Sequence, residues 1–183
     1  MNSWRFFCLV IVVLLPFMGI KEPTLAAETK QTTYQINPQC QNCLRLIPSG
    51  IINQQKNPIY LLEVYHQGQH LYTFETVSGR NYTQNRNRHR AGTEAPLPDG
   101  KYTISSRSIP GTIVEAGGRF IPVKAQFRTG RSALGIHYDP SYNKSNGEDG
   151  TSGCIGLTTR TNFETLRQFI ETYRPQLLIV DIQ

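Results

Sequence analysis

The chain has 183 residues, a formal net charge of +6, 38% hydrophobic residues and 10% aromatic residues. This composition suits one domain with a hydrophobic core and argues against a chain too polar to fold. A basic charge can indicate nucleic-acid binding, but the chain contains no nucleic-acid-binding motif, so we predict no nucleic-acid partner.

The first 27 residues have the features of a secretory signal peptide. Arg5 lies in a short N-terminal region, an apolar run extends from Phe6 to Met18, and Ala26 and Ala27 supply small residues for cleavage. The run is shorter than the about 20 residues of a membrane-spanning helix, although an uncleaved N-terminal anchor is the alternative. We therefore expect an exported protein without a stable membrane anchor after cleavage, and with a net charge of about +5.

The cysteines divide into a close pair and a single residue. Cys40 and Cys43 form a Cys-x-x-Cys, for which an oxidising compartment favours a local disulfide and leaves Cys154 as a reactive thiol. A thiol oxidoreductase is the alternative, but Pro48 and Gly50 surround the pair with turn chemistry instead of a redox βαβ unit. No second Cys-x-x-Cys or paired histidine follows, so we predict no metal site.

Strand patterning begins at Ile59. Two runs rich in β-branched and aromatic residues, 59–65 and 70–77, predict a β-hairpin. The stretch 80–90 carries four arginines and almost no apolar side chains, so it is predicted to be an exposed, mobile loop. Its arginines are either simply solvated or form a basic flap for anionic substrates.

Further strands and one helix follow. Thr161 and Glu164 match a capping box, apolar residues then recur at helical spacing, and Pro175 ends this amphipathic helix. Strands are predicted over 101–106, 120–127, 134–137 and 176–182. Strands outnumber helices and no βαβ alternation occurs. The fold class is therefore mainly β, a single-domain sandwich or mixed sheet with one helix packed on it near the C-terminus.

Residues 134–157 carry the strongest signal of chemistry. A thiol needs a base to become a thiolate at neutral pH, and His137 lies 17 positions before Cys154 with turn-forming residues between them. Short apolar runs end at His137 and start at Cys154, so two neighbouring strands would place both side chains at one edge of a sheet. Gly150 and Gly153 allow the close backbone approach that an oxyanion hole requires.

This stretch resembles the catalytic signature of the L,D-transpeptidases, which crosslink peptidoglycan through a cysteine. The signature is Gly-x-His, a variable loop, then Ser/Thr-x-Gly-Cys and an apolar residue. The Val77-Ser78-Gly79 turn and the segment 93–104 resemble further landmarks of the family. The resemblance implies a catalytic domain of the L,D-transpeptidase fold over 58–183. It follows the predicted signal peptide over 1–27 and an N-terminal segment with the Cys-x-x-Cys over 28–57.

The resemblance also implies a reaction. Cys154 would attack a stem-peptide carbonyl and form a thioester, an amine from a second stem would resolve it, and His137 would transfer the protons. Peptidoglycan stem peptides in the periplasm or cell wall would be the partners, and no cofactor is implied. The other implied residues are Thr151, Ser152 and Gly153 around the oxyanion, and Tyr138 and Arg131 for substrate binding.

The chain departs from the common motif at three positions. A His commonly precedes the Gly-Cys and an Arg or Asn stands two residues after the Cys, where this chain has Ser152 and Gly156. Tyr138 replaces the Gly that usually follows the motif His. Three alternatives stay open: an L,D-carboxypeptidase that uses water as acceptor, a catalytically inactive cell-wall-binding module, and a thiol oxidoreductase that uses Cys40 and Cys43.

Overall fold

The computed structural model describes residues 40–183, which form a mainly β fold with one α-helix. The strands are Cys43–Ile52 (β1), Pro58–His66 (β2), Gln69–Val77 (β3), Gly100–Ile104 (β4), Ile109–Pro110 (β5), Arg119–Ala125 (β6), Gly135–Tyr138 (β7), Ile155–Leu157 (β8) and Leu177–Val180 (β9). The helix is Arg160–Tyr173 (α1), and short 3₁₀ turns lie at Asn81–Thr83 and Val114–Ala116. The predicted fold class is confirmed.

All nine strands belong to one mixed sheet with the order β4-β9-β1-β2-β3-β8-β7-β6-β5. β4 also pairs with β6, so the ladder closes on itself and β5 extends from it as the hairpin partner of β6. The pairs β1–β9 and β7–β8 are parallel, and the other pairs are antiparallel. A closed ladder leaves few unpaired strand edges and encloses the core.

The predicted hairpin is confirmed. β2 and β3 pair antiparallel across the two-residue turn Gln67-Gly68. Both turn residues have positive φ, 51° and 75°, which is the backbone that tight hairpin turns of type I′ require.

β1 is an element that the sequence did not predict. It lies in the segment 28–57, which the sequence separated from the catalytic domain, yet it pairs with both β2 and β9. Leu44 and Leu46 of β1 are fully buried. Pro48, whose turn chemistry predicted a loop, lies where the register with β2 shifts, and a sheet tolerates proline at such an irregularity. The sheet therefore begins before residue 58.

Cys40 and Cys43 form a disulfide, as the local pairing predicted. Both residues are buried and pack with Tyr65, Leu177 and Ile179. Cys43 opens a strand instead of a helix, which differs from the setting of a redox Cys-x-x-Cys. The disulfide thus secures the beginning of β1 against its neighbours.

The prediction of an exposed, mobile loop over 80–90 is wrong for two of its arginines. Arg80 and Arg88 are buried. The guanidinium of Arg88 donates to both carboxylate oxygens of Asp99, at 2.8 and 2.9 Å, and also to the carbonyl of Leu97. A buried guanidinium is tolerated when a bidentate carboxylate satisfies it, so the loop folds back onto the turn before β4.

The N-terminus of α1 also differs from the prediction. The N-cap is Thr159, whose Oγ1 accepts the N–H of Asn162 at 3.1 Å, and Thr161 is already helical. Glu164 pairs with Arg167 instead of closing a capping box. Thr159 has the extended backbone of an N-cap, with φ −134° and ψ 149°. This conformation, which the sequence does not reveal, makes Thr159 and not Thr161 the N-cap.

Within residues 40–183, no helix has the length and apolarity to cross a membrane. The predicted signal peptide, residues 1–27, lies outside the described residues.

The cap assignment can be tested with the two threonines as a matched pair. Thr159→Ala removes the hydroxyl that satisfies a free helical N–H, so it should lower the free energy of unfolding by about 1 kcal/mol. Thr161→Ala should change it by less than about 0.5 kcal/mol, because the substitution lies at a helical position. Urea unfolding of both variants measures this difference, and an equal or greater loss in Thr161→Ala would contradict the assignment.

Candidate active site

The parallel pairing of β7 with β8 brings His137 and Cys154 together. Ile136 lies opposite Ile155 and His137 opposite Gly156, so Cys154, one position earlier, comes level with Gly135. Alternate residues of a strand share a face, and Cys154 and His137 therefore project from the same face of the sheet. Ile136 and Ile155 project from the other face into the core.

Both side chains line one cavity of about 600 Å³. The segment 109–116 forms one wall, and the segment 131–134 forms another. Apolar side chains of β6, including Phe120, line the cavity beside the polar groups of Glu115, Arg131 and Ser152. A mostly apolar cavity of this size with a few polar groups is typical of a substrate site.

His137 has the environment of a neutral base. Its side chain is 1% exposed, and its Nδ1 lies 3.0 Å from the backbone carbonyl oxygen of Tyr138. A carbonyl can only accept, so Nδ1 carries the proton and Nε2 is left to accept another. Burial lowers the pKa of His137, while the bond to Tyr138, the charge of Glu115 and a hydrogen bond with the Glu115 backbone oppose that change. The resting imidazole is therefore neutral near pH 7.

Cys154 rests as a thiol. Burial raises its pKa to about 11; the Gly135 backbone opposes the rise, Glu115 adds to it and Arg131 opposes it. The Sγ lies 3.7 Å from the carbonyl oxygen of Ala133, as a thiol donor does. Because the thiolate is the nucleophile, this cysteine needs a base to react at neutral pH.

Thr151 is the hydrogen-bonding centre of the loop before Cys154. Its Oγ1 donates to the carbonyl of Cys154 at 2.7 Å and accepts the N–H groups of Gly153 and Gly79 at 3.1 and 3.2 Å. The Thr151 N–H donates in turn to the carbonyl of Gly79 at 3.0 Å. Thr151 thus connects Cys154 to the 77–79 turn, and the N–H of Gly153 is already donated within the protein.

Arg131 holds the same loop from another side. Its guanidinium donates to the carbonyls of Ala95 at 2.8 Å, Pro96 at 3.1 Å and Ser152 at 2.8 Å. Gly153 has φ 102°, and a Cβ there would collide with the Arg131 guanidinium and the Ala95 carbonyl. Only glycine fits this position. Arg131 also borders the cavity, where its role in substrate binding stays a prediction.

The Tyr138 side chain is not brought to the cavity. It lies on the core face of β7, where it packs against the hydrophobic core, and the guanidinium of Arg160 lies 5.0 Å from its ring centroid. What Tyr138 supplies to the site is its backbone carbonyl, which orients His137. A substrate contact from its ring therefore gains no support from this geometry.

Glu115 is a site residue that sequence reasoning missed. Its Oε1 accepts the N–H of Ser152 at 2.6 Å, and its Oε2 accepts the Ser152 hydroxyl at 2.8 Å. Ser152, predicted near the oxyanion, thus has its N–H occupied. Glu115 lies in a glycine-rich loop without periodicity, and no motif marks it in the sequence.

A family model described as YkuD, the L,D-transpeptidase catalytic domain, matches residues 50–177. The chain belongs to this family. No curated protein and no solved structure matches it. The L,D-transpeptidase landmarks outside the motif have visible roles here, because the 77–79 turn holds Thr151 and the segment 95–96 holds Arg131.

The structure explains why this member of the family has glycine at position 156. A Cβ there would lie 2.8 Å from Thr151 Cγ2, 3.0 Å from Asp139 Cβ and 3.2 Å from Val77 Cγ2. No room is left for the Arg or Asn of the common motif. The nearest of these atoms belongs to Thr151, and the side chain of the buried Asp139 is the next nearest.

Asp139 closes the loop between the two catalytic candidates. Its carboxylate accepts the N–H groups of Ser141 at 2.8 Å and Gly150 at 3.1 Å. Burial raises its pKa to about 6, against the effect of these two hydrogen bonds. The carboxyl group of Asp139, which is costly to ionise, thus joins the beginning of the loop between His137 and Cys154 to its end.

This environment predicts a pH dependence of stability. The carboxyl of Asp139 has a pKa of 3.8 in the unfolded chain and of about 6 in the folded one. The folded protein therefore holds this proton more tightly, and the resulting gain in the free energy of unfolding is complete below about pH 4 and lost as the pH rises to about 6. Asp139→Asn removes this change. The unfolding free energy of the wild type relative to the variant should fall by up to about 3 kcal/mol between pH 4 and pH 7.

Urea unfolding at the two pH values measures the difference. Asp181→Asn is the matched control, because Asp181 is exposed. The difference in unfolding free energy between the wild type and this variant should change much less between the two pH values. Parallel pH profiles for the wild type and Asp139→Asn would contradict the prediction.

Proposed function

We propose that this L,D-transpeptidase family member is an exported peptidoglycan L,D-transpeptidase that acts through a thioester on Cys154. The observation that carries the proposal is the β7–β8 register, which places Cys154 and His137 on one face and in one cavity. The carbonyl of Tyr138 is the third group, because it orients the base. A nucleophile, its base and an orienting group form the arrangement that acyl transfer requires.

In the first half-reaction, His137 Nε2 takes the thiol proton as Cys154 Sγ attacks the carbonyl of the diamino acid at the third stem position. The N–H groups of Ser152 and Gly153 are donated inside the protein, so we assign the oxyanion to the N–H of Cys154. Collapse of the intermediate breaks the peptide bond, and His137 gives its proton to the departing D-amino acid. The product is a thioester.

In the second half-reaction, an amine from another stem attacks the thioester. His137 removes a proton from that amine, the new amide forms, and Cys154 leaves and regains its proton. Water in place of the amine would give an L,D-carboxypeptidase with the same residues. The products distinguish the two reactions, because only the amine joins two stems.

A wall-binding module or a thiol oxidoreductase would account for less of the site. An inactive wall-binding module has no use for a buried imidazole that shares a cavity with the one free thiol of the described residues. A Cys40–Cys43 oxidoreductase would need an accessible disulfide, but both residues are buried and neither lines the cavity. The Cys154 reaction therefore has the stronger support.

Cys154 and His137 should act as a unit. Cys154→Ala and His137→Ala should each lower turnover of defined muropeptides by at least about a thousandfold, and the double variant should be little worse than either. The reason is that a base without its thiol has nothing to activate, and a thiol whose pKa is near 11 is inert without its base. Mass spectrometry of the products measures turnover and separates crosslinking from hydrolysis.

His70→Ala is the matched control, because His70 lies on β3 outside the cavity, and it should keep activity. A carbapenem, which acylates the cysteine of this family, should add its mass to the wild type but not to Cys154→Ala. A folded Cys154→Ala protein that still crosslinks stems or takes the label would refute the catalytic role and favour the binding module.

Export is proposed from the first 27 residues, with the periplasm or cell wall as the destination. The mature chain should start near Ala27 or Glu28, because small residues follow the apolar run there. N-terminal sequencing of material from the cell envelope identifies the first residue. Recovery of a chain that keeps Met1 would show that the segment is an uncleaved anchor.

A further inference from the structure

We propose that Glu115 is a positioning residue for Cys154 and His137, acting through Ser152. This inference rests on the proposed function and deepens it, since it gives a role to Ser152, which replaces the common motif His, and to its partner. Ser152 and Glu115 form a matched pair. The serine offers an N–H and an O–H, and each carboxylate oxygen accepts one of them, at 2.6 and 2.8 Å.

The Ser152 peptide is held by opposite charges on its two sides. Glu115 accepts from its N–H and hydroxyl, while Arg131 donates to its carbonyl at 2.8 Å. Hydrogen bonds to charged groups are stronger than neutral ones, so this clamp restricts the backbone immediately before Gly153 and Cys154. The restraint matters because Gly153 already has a φ that only glycine adopts freely.

Glu115 is itself held by a buried arginine. Arg80 is 5% exposed, and its Nη2 lies 3.7 Å from Glu115 Oε2 and 2.8 Å from Glu148 Oε2. Its Nε and Nη1 have no hydrogen-bond partner among the described residues. A buried guanidinium needs compensating charge, and Glu115 supplies part of it together with Glu148 and with Glu94, whose Oε2 lies 3.8 Å from the Arg80 Nε. Arg80 follows Gly79, whose N–H donates to Thr151 Oγ1. The same turn therefore contacts the loop before Cys154 through Gly79 and, by way of Glu115, through Arg80.

The charge of Glu115 acts on both reacting groups. It raises the pKa of His137 and also that of Cys154. A proton on the imidazole is thereby favoured, and this is the charge state that His137 reaches when the thiol attacks. A free thiolate in the empty site is disfavoured. Glu115 therefore keeps the proton on sulfur at rest and stabilises the imidazolium during attack.

Glu115→Gln tests whether the charge of Glu115 is needed for this role. An amide keeps an oxygen to accept the Ser152 N–H and an NH₂ to donate to its hydroxyl, but it has no charge. Glu148→Gln is the matched control, because it removes the same charge from Arg80 without touching Ser152 or lining the cavity of Cys154. Iodoacetamide labelling of Cys154 as a function of pH, read by mass spectrometry, reports on the thiol without any substrate.

In Glu115→Gln, the midpoint of labelling should move to lower pH by at least about half a unit, and muropeptide kcat should fall about tenfold with little change in KM. Glu148→Gln should change neither quantity. An unchanged midpoint in Glu115→Gln, or an equal shift in Glu148→Gln, would overturn the role of Glu115. A midpoint shift in Glu115→Gln together with a wild type that turns over no muropeptide would instead refute the proposed function and leave the electrostatic coupling standing.

Discussion

The parallel register between β7 and β8 is the constraint on which the site depends. Because side chains alternate along a strand, a slip by one residue would turn either His137 or Cys154 towards the core. The slip is opposed from the opposite face, where Ile136 and Ile155 are fully buried in contact with the core. Exposing either one would cost roughly 2–3 kcal/mol, so hydrophobic packing on one face fixes the chemistry on the other.

Segments far away in sequence hold the loop 151–153, which precedes Cys154. The 77–79 turn holds Thr151, and the carbonyls of Ala95 and Pro96 hold Arg131, which in turn holds Ser152. Each contact joins a different stretch of chain to the few residues before Cys154. The landmarks of the family that carry no reactive group thus have a physical role, since they supply backbone groups and fix the loop geometry around Gly153.

Sequence patterns predicted the features that depend on local chemistry. The β2–β3 hairpin, the helix and the His137–Cys154 pairing follow from alternation, helical spacing and turn residues. β1 was missed because Pro48 and Gly50 lie within it and resemble loop residues, although its partner β2 follows directly in sequence. Arg88 looked solvated because the carboxylate that permits its burial, Asp99, becomes its neighbour only in the fold. Glu115 was not predicted as a site residue for the same reason, because its partner Ser152 lies on another loop.

The charge states of the resting site would suit the proposed export, which would place this thiol outside the reducing interior of a cell. Burial raises the pKa of Cys154 and lowers that of His137, so a proton remains on sulfur and the imidazole stays neutral. A thiolate would react with oxidants or with other disulfides, whereas a neutral thiol does so slowly. Transfer of the proton from Cys154 to His137 becomes favourable only when a carbonyl carbon is in place to accept the electron pair of the sulfur. In the proposed mechanism the nucleophile is therefore generated in the presence of its substrate. The low dielectric of the cavity, which suppresses the thiolate at rest, would also strengthen the hydrogen bonds to the developing oxyanion.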